Sequence, residues 1–423
     1  MTHDPDASEA QLYADLPEPL VLPPSELLAN HEPNVLAPLV RCSKLPFRHL
    51  TSLYETHITH TPMILAEEFS RAQVARVSDF STSTSERGVY WMTPCDSSNS
   101  SSSSRKGKEV IRLTHPDDDP KSDSNSNLTH QRGSDDLITY HNGIYGDRLP
   151  PTPTRPNPHA ELVRGNLIAQ FASPTAKSLV DAAELISPYV DGIDLNCGCP
   201  QRWAYNEGIG CALLRKPELV RDMVRQVRDR MGWGWSVSIK IRIDPDQKQT
   251  ETLIRNALQA GISYLSIHGR TRHQPSTDPV NLEGIKFAVK IVNGEVPCTG
   301  NGDIWTYDDV LTMREKTGVK GVMAARGLLA NPALFASYSS TPSHAVSQFI
   351  SLSTSYGLIF PLFHRHLAYM LESDFSRNEK VWFNCLSSSS AAIDWLEGRG
   401  LDWKSKRGTV WDARQGRGVM TAL

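Results

Sequence analysis

The sequence predicts a (β/α)8 (TIM) barrel carrying a small C-terminal helical domain and a long disordered insertion. Three observations predict it. Eight short apolar segments read as strands, and six of them alternate regularly with amphipathic helical patterns across short loops. Strands this apolar are buried on both faces, as in a parallel sheet covered by helices. The turn after the first strand, Pro38 to Ser43, holds no glycine, so the Gly-rich phosphate turn of an open dinucleotide-binding sheet is missing.

Taken in order, residues 1–33 are rich in Pro, Asp and Glu and read as a disordered tail. The barrel is expected over 34–335, with its first strands at 35–39 and 61–66. An insertion interrupts it at about 82–164. That stretch holds a Ser run over 96–104, the acidic run Asp117 to Asp119 and a Pro-rich run over 150–158. Such composition cannot bury enough apolar surface to offset the entropy of ordering it. It reads as a surface loop grown long, either regulatory or a mis-translated intron. Strands resume at 167–170, 192–195, 236–241, 264–268, 296–299 and 321–324. Helices fall between them: 175–190, 217–231 with Pro217 at its first position, 249–260 ending at Gly261, and 306–316 ending near Gly318. Residues 336–423 read as helix only, with packed segments at 363–371, 381–386 and 391–396.

Composition excludes several functions. The chain has 423 residues and a formal charge of -3, so any nucleic-acid contact rests on a local patch. No run approaches the ~20 apolar residues that span a bilayer. The acidic, polar opening of the sequence is unlike a secretory signal. The cysteines (Cys42, Cys95, Cys197, Cys199, Cys211, Cys298 and Cys385) include no CxxC pair, so neither a disulfide scaffold nor a metal centre is expected. A reducing interior is the default, with the cytoplasm as the expected compartment and a nuclear fraction left open.

In a barrel, the C-terminal ends of the strands face the active site. Pro38 and Leu39 end the first strand and Gln170 the third. Asn196-Cys197-Gly198-Cys199-Pro200-Gln201 follows the fourth. Lys240 ends the fifth, with Arg242 beyond it, and His268-Gly269-Arg270-Thr271 ends the sixth. Gly300-Asn301-Gly302-Asp303 and Ala324-Ala325-Arg326-Gly327 close the last two. The glycines of these last loops let backbone N–H groups approach an anion, and Arg326 adds charge, so a phosphate site is expected there rather than a plain tight turn. A cation at the height of Lys240 suits negative charge on a planar cofactor such as reduced flavin, and Gln170 suits its pyrimidine edge. His268 reads as a proton donor, a metal ligand or a core histidine; no second ligand at metal spacing lies nearby. Cys197 and Cys199 read as small buried hydrophobes or as one thiol acid, and spacing does not choose between them.

The segments Val35 to Leu39, Ser43 to Arg48, Asp194 to Trp203, Ser238 to Arg242, His268 to Thr271, Asn301 to Asp303 and Ala325 to Gly327 together resemble the tRNA-dihydrouridine synthases. The Cys197-Gly-Cys-Pro-Gln-Arg-Trp203 form, with Ala325-Arg-Gly-Leu-Leu-Ala-Asn-Pro332, is similar to the eukaryotic branch acting at positions 20a and 20b of the tRNA D-loop. The resemblance spans about 34–80 and 165–335, and the C-terminal part is similar to the family's helical tRNA-binding domain. The insertion matches nothing in the family pattern.

The resemblance implies an FMN enzyme that uses NADPH or NADH to reduce the C5–C6 bond of a tRNA uridine. It implies FMN contacts from Pro38, Leu39, Gln170, Lys240, His268, Asn301, Gly302, Asp303, Ala325 and Arg326. Leu39 stands where the family usually has Met, and Ala325 where many members have Gly. Cys199, the cysteine before Pro200, is implied as the catalytic acid, with Asn196 orienting substrate or flavin. Arg270, Arg365, Lys380, Lys404 and Arg407 are candidate substrate contacts; Lys404, Lys406, Arg407, Arg414 and Arg417 face only Asp412 as local acid. tRNA is the expected partner, recognised through shape and phosphate contacts by a monomer without a metal. The alternatives are an FMN-dependent small-molecule ene-reductase or dehydrogenase, and a catalytically silent RNA-binding paralogue.

Overall fold

The computed structural model describes residues 16–95, 155 and 158–401, and the backbone of 419–421. Eight parallel strands close on themselves: β1 Asn34–Leu36, β2 Ile58–His60, β3 Asn166–Ala172, β4 Gly192–Cys197, β5 Ser236–Arg242, β6 Leu265–His268, β7 Cys298–Asn301 and β8 Gly321–Ala324. Closure runs through Leu36 beside Ala324 on one side of β1, and through His60 of β2 beside Ile168 of β3. A closed parallel sheet leaves no edge to protect.

Alternation along each strand sorts the side chains into two populations. Ile193, Leu195, Val237, Ile239, Ile241, Leu265 and Ile267 join the main apolar cluster with the surrounding helices. The alternate positions form layers inside the barrel. Val35, Ile58, Ile168, Tyr264 and Met323 make an apolar floor with Leu27 and Leu28. Above it lie buried polar groups, among them Asp194, Ser238, Gln170, Asn196, Lys240 and Asn301. The polar layer is uppermost because these residues lie further along their strands, toward the C-terminal ends, than the floor residues.

The helices between strands follow their sequence signals. Ala176–Ile186 is capped by Thr175, Gln247–Ala260 starts at Asp246 and stops at Gly261 with φ +84°, and Tyr307–Thr317 carries a Thr306–Asp309 capping box. Ser343–Ser355 packs on Leu45–Ser52, the helix after β1. Behind it, Phe360–Met370, Arg377–Asn384 and Ser389–Glu397 pack through aromatic rings, with His364 stacked on Phe383 at 4.5 Å and Phe375 meeting Trp395 edge-on at 5.0 Å.

Three boundaries differ from the sequence reading. The tail expected over 1–33 contains a helix, Pro24–Asn30, whose Leu27 and Leu28 seal the barrel floor; residues 1–15 lie outside the described residues. The second barrel strand is 58–60 rather than 61–66. Pro62 cannot donate to a ladder, and beyond it only Ile64–Leu65 rejoins β3, beside Phe171 and Ala172. The expected insertion is narrower than 82–164. Ser81–Ser83 is a strand, and Val89–Met92 pairs antiparallel with Glu161–Arg164. Tyr90 fixes that pair to the barrel by hydrogen-bonding the carbonyls of Ser52 and Thr56, both at 2.7 Å. The Ser and acidic runs and most of the Pro-rich run fall on 96–154 and 156–157, outside the described residues.

Candidate active site

Seven polar side chains from five strands meet at the mouth, and all but His268 fall into two hydrogen-bonded sets. In the first, the Gln170 amide donates to Asp194 at 2.7 Å and accepts from the Asn196 amide at 2.7 Å. The Asn196 carbonyl in turn accepts the backbone N–H groups of Gly198 at 3.0 Å and Cys199 at 2.8 Å. Asp194 also accepts from the Ser238 hydroxyl at 2.8 Å. A carboxylate under the floor of the mouth therefore fixes the rotamer of Gln170, and through Asn196 it fixes the turn that presents Cys199. Sequence reasoning missed Asp194; its signal was the two-residue spacing to Asn196 on one face of β4.

In the second set, the Lys240 ammonium donates to the Asn301 carbonyl at 3.0 Å, and the Asn301 amide donates to Met323 O at 2.9 Å. Lys240 is buried and has no ion pair among the described residues. Burial and Arg242 push its pKa below the ordinary lysine value, against the opposing pull of Asp194. Burial pushes Asp194 upward, and its hydrogen bonds from Gln170 and Ser238 and the Lys240 charge restrain it. His268 stands beside Lys240, Arg242, Arg270 and Arg326; burial and these cations take its pKa down to about 2, so the imidazole is neutral at physiological pH.

Next to the second set lies a pocket of about 190 Å³ lined by His268, Arg270, Gly302, Asp303, Trp305 and Arg326 among others. Gly302 has φ +139°, and a Cβ at Gly327 would lie 2.0 Å from Ile304 O. Both positions require glycine, and the backbone can approach a ligand closely there. Asp303 accepts from Arg270 and, at 3.0 Å, from Arg326, and it takes the Val280 N–H at 3.0 Å. Ala325 lines the same pocket. Arg270, read from sequence as a substrate contact, is 3% exposed and belongs to this pocket. At β1, the Ser43 hydroxyl bonds both the N–H and the carbonyl of Leu39, at 3.0 and 3.2 Å, which fixes the turn that carries Pro38 and Leu39.

Cys199 is half-buried on the loop after β4, whereas Cys197 is fully buried, its thiol pushed well up by burial and Asp194. The structure thus separates the two cysteines that spacing left equivalent: Cys197 lies in the main apolar cluster, and Cys199 packs against Ala172, Ala204 and Ile209. Arg242, named from sequence without a role, bonds Gly198 O and Thr271 O, both at 2.9 Å, tying the Cys199 loop to the loop after β6. Arg365 is exposed on Phe360–Met370 and Lys380 lies 3.8 Å from Glu372, both on the C-terminal helices. Lys404 and Arg407 lie outside the described residues. Among the described residues no helix is long and apolar enough to cross a membrane, and no cluster of potential ligands could hold a metal.

The family model described as dihydrouridine synthase (Dus) matches residues 151–386. The mouse protein named tRNA-dihydrouridine(20a/20b) synthase [NAD(P)+]-like is 38% identical over 366 residues, covering 86% of this chain and 87% of that protein. The fission-yeast tRNA-dihydrouridine(20a/20b) synthase [NAD(P)+] is 34% identical over 364 residues, covering 86% of each. Its Saccharomyces cerevisiae counterpart is 31% identical over 341 residues, covering 80% of this chain and 72% of that protein.

Proposed function

The chain belongs to the dihydrouridine synthase family, and from that premise we propose that it reduces uridines 20a and 20b of the tRNA D-loop to 5,6-dihydrouridine, with FMN as cofactor and NADPH or NADH as electron donor. The observation that carries the flavin is Lys240, a buried ammonium with one recorded hydrogen bond and no ion pair among the described residues. Such a group keeps donor capacity for the anionic edge of a reduced isoalloxazine. The donor set fits the rest of the cofactor. Gln170, His268, Pro38 and Leu39 surround the same mouth, and Asn301, Gly302, Asp303, Ala325 and Arg326 would hold the ribityl phosphate, with Arg270 as a second cation.

FMN held there would supply hydride chemistry toward C6 of the uracil, with the nicotinamide as its electron source. The chain's own residues then control the proton. The Cys199 thiol donates to C5, where negative charge develops, and completes the reduction by general acid catalysis. Asn196 holds that thiol's loop through two backbone N–H groups, which limits the search for a productive geometry. His268, held neutral, supplies an N–H donor without a second full charge beside Lys240. The uridine leaves its stack to reach the mouth. The C-terminal helices and their cations hold the folded tRNA, and the working form is a cytoplasmic monomer.

The test is an anaerobic spectrum of the purified protein. Flavin absorbance that bleaches with NADPH and returns on adding unmodified tRNA, with dihydrouridine at 20a and 20b, is the expected result. A colourless protein that FMN cannot reconstitute overturns the flavin assignment. Turnover of free enones without RNA favours the small-molecule reductase, and bleaching without any dihydrouridine favours the silent paralogue.

A further inference from the structure

The loop that carries Cys199 runs directly into a one-turn helix, Arg202–Asn206, and this helix leaves two large rings in solvent: Trp203 is 42% exposed and Tyr205 39%. Apolar rings on a protein rim are ordinary when isolated. These two are held in place. The Trp203 indole N–H donates to the Gln201 side chain at 2.6 Å. The Arg272 guanidinium, from the loop after β6, lies 3.3 Å from the centre of the Tyr205 ring, a close cation–π stack. The Arg242 clamp between Gly198 and Thr271 fixes the two loops that bring these groups together. Arg202 is exposed beside them. The result is a preformed rim of aromatic faces interleaved with guanidinium groups, four residues from Cys199 along the chain.

We propose that Trp203 and the Tyr205–Arg272 stack form a platform for the unpaired nucleobase adjacent to the target uridine. The proposal rests on the tRNA-reductase reading and deepens it. When a uridine leaves its stack, each neighbour loses an aromatic partner, and an exposed ring pinned beside the mouth replaces it. Guanidinium planes serve the same stacking role and add attraction for the adjoining phosphate. Stacking reads no base edge, so the platform accepts any base, and its role is to hold the opened D-loop in register with Cys199. Trp203 and Tyr205 act by positioning and take no part in proton or hydride transfer.

The experiment pairs a protein change with an RNA change. Wild type, Trp203→Ala and Trp203→Phe holoenzymes are assayed on tRNA transcripts that carry a normal or an abasic nucleotide on the 5′ or the 3′ side of the target uridine. Trp203→Ala should raise KM for normal tRNA and lower kcat/KM about 5- to 50-fold. The rate of flavin bleaching by NADPH should be unchanged, and Trp203→Phe should restore most of the loss. An abasic neighbour on one side should cost wild type a similar factor and Trp203→Ala little more. Independent, multiplicative losses on both sides, or no loss in Trp203→Ala, overturn the platform while leaving the reductase reading intact. A wild type that forms no dihydrouridine on normal tRNA overturns that reading and the platform with it. Arg272→Ala, assayed in the same way, repeats the test from the other loop.

Discussion

Replacing Glu86 with Ala should weaken both the fold and the cofactor site, although Glu86 lies in the part of the chain that composition marks as an insertion. Its carboxylate is wholly buried and meets the buried guanidinium of Arg48 at 2.6 and 3.2 Å. It also accepts from the Thr82 hydroxyl and, at 3.3 Å, from Ser83 N–H. Removing one member of a buried pair leaves the other charge desolvated, at a cost of about 3–5 kcal/mol. Arg48 would retain Ser43 O at 2.8 Å and Ser81 O at 2.7 Å, which places the expected loss near the lower end, about 3 kcal/mol. That is a large share of a typical total of about 5–15 kcal/mol. The same bonds tie the site to the pair, because Ser43 also holds the Leu39 turn. Urea unfolding of the FMN-loaded protein, followed by tryptophan fluorescence, should show the loss, and the variant should release FMN more readily. Arg48→Met with Glu86→Met removes both charges and should recover much of the stability. A Glu86→Ala cost below about 0.5 kcal/mol would show that residues 81–86 are not packed as described, and the reasoning would fail.

Other expectations follow from the site. Lys240→Met should slow flavin bleaching by NADPH about 10²- to 10³-fold while leaving the urea midpoint equal or higher, because a buried ammonium costs stability and serves chemistry. Cys199→Ala should keep the flavin spectrum and its bleaching yet lower dihydrouridine formation at least about 10²-fold, measured on unmodified tRNA. Burial lowers the pKa values of His60 and His366 to about 3 and about 4, so the unfolded chain takes up protons first as pH falls. Their contribution is complete above about pH 6.5 and is lost from there down to about pH 4 for His366 and about pH 3 for His60, each histidine adding a slope of up to about 1.4 kcal/mol per pH unit. Urea midpoints at several pH values should show this, and His366→Phe should flatten the slope. Replacing residues 98–152 with a short Gly/Ser linker should leave soluble yield and flavin content near wild type. Deleting 85–164 should abolish both, since it removes the 89–92 and 161–164 strand pair.

The barrel was legible because its outward strand positions are mostly apolar and its turns carry Gly, Pro and capping residues at the expected places. The site was legible because a polar group at the end of an apolar strand has few reasons to be there except the mouth: Gln170, Lys240 and His268 each stand out in this way. The second strand was not, because Ile58-Thr59-His60 points His60 inward and mixes polar with apolar residues, whereas the more apolar 61–66 is broken by Pro62. Segment 81–95 was lost among its neighbours. A composition window averages over Glu86 and Tyr90, whose value lies in single long-range partners. The floor helix Pro24–Asn30 was hidden by acidic and Pro-rich surroundings, although Pro24 at its start and the Leu27-Leu28 pair were its signals.

Arg242 shows where such reading stops and why. Its place at the end of the fifth strand was visible in the sequence, but no role was read for it. In the structure it spends its guanidinium on Gly198 O and Thr271 O. Every residue owns a carbonyl, so no pattern of side chains announces a clamp of this kind. The pairing of β5 with both β4 and β6 brings the loops after those two strands to opposite ends of one guanidinium. The consequence is structural: one guanidinium couples the loop carrying Cys199 to the loop after β6 that carries Arg272. A lysine at 242 keeps the charge but not the fork that reaches both carbonyls. Arg242→Lys should therefore uncouple the two loops, raising KM for tRNA and slowing proton donation by Cys199. Unchanged kinetics in that variant would show that each loop is fixed by its own strand alone.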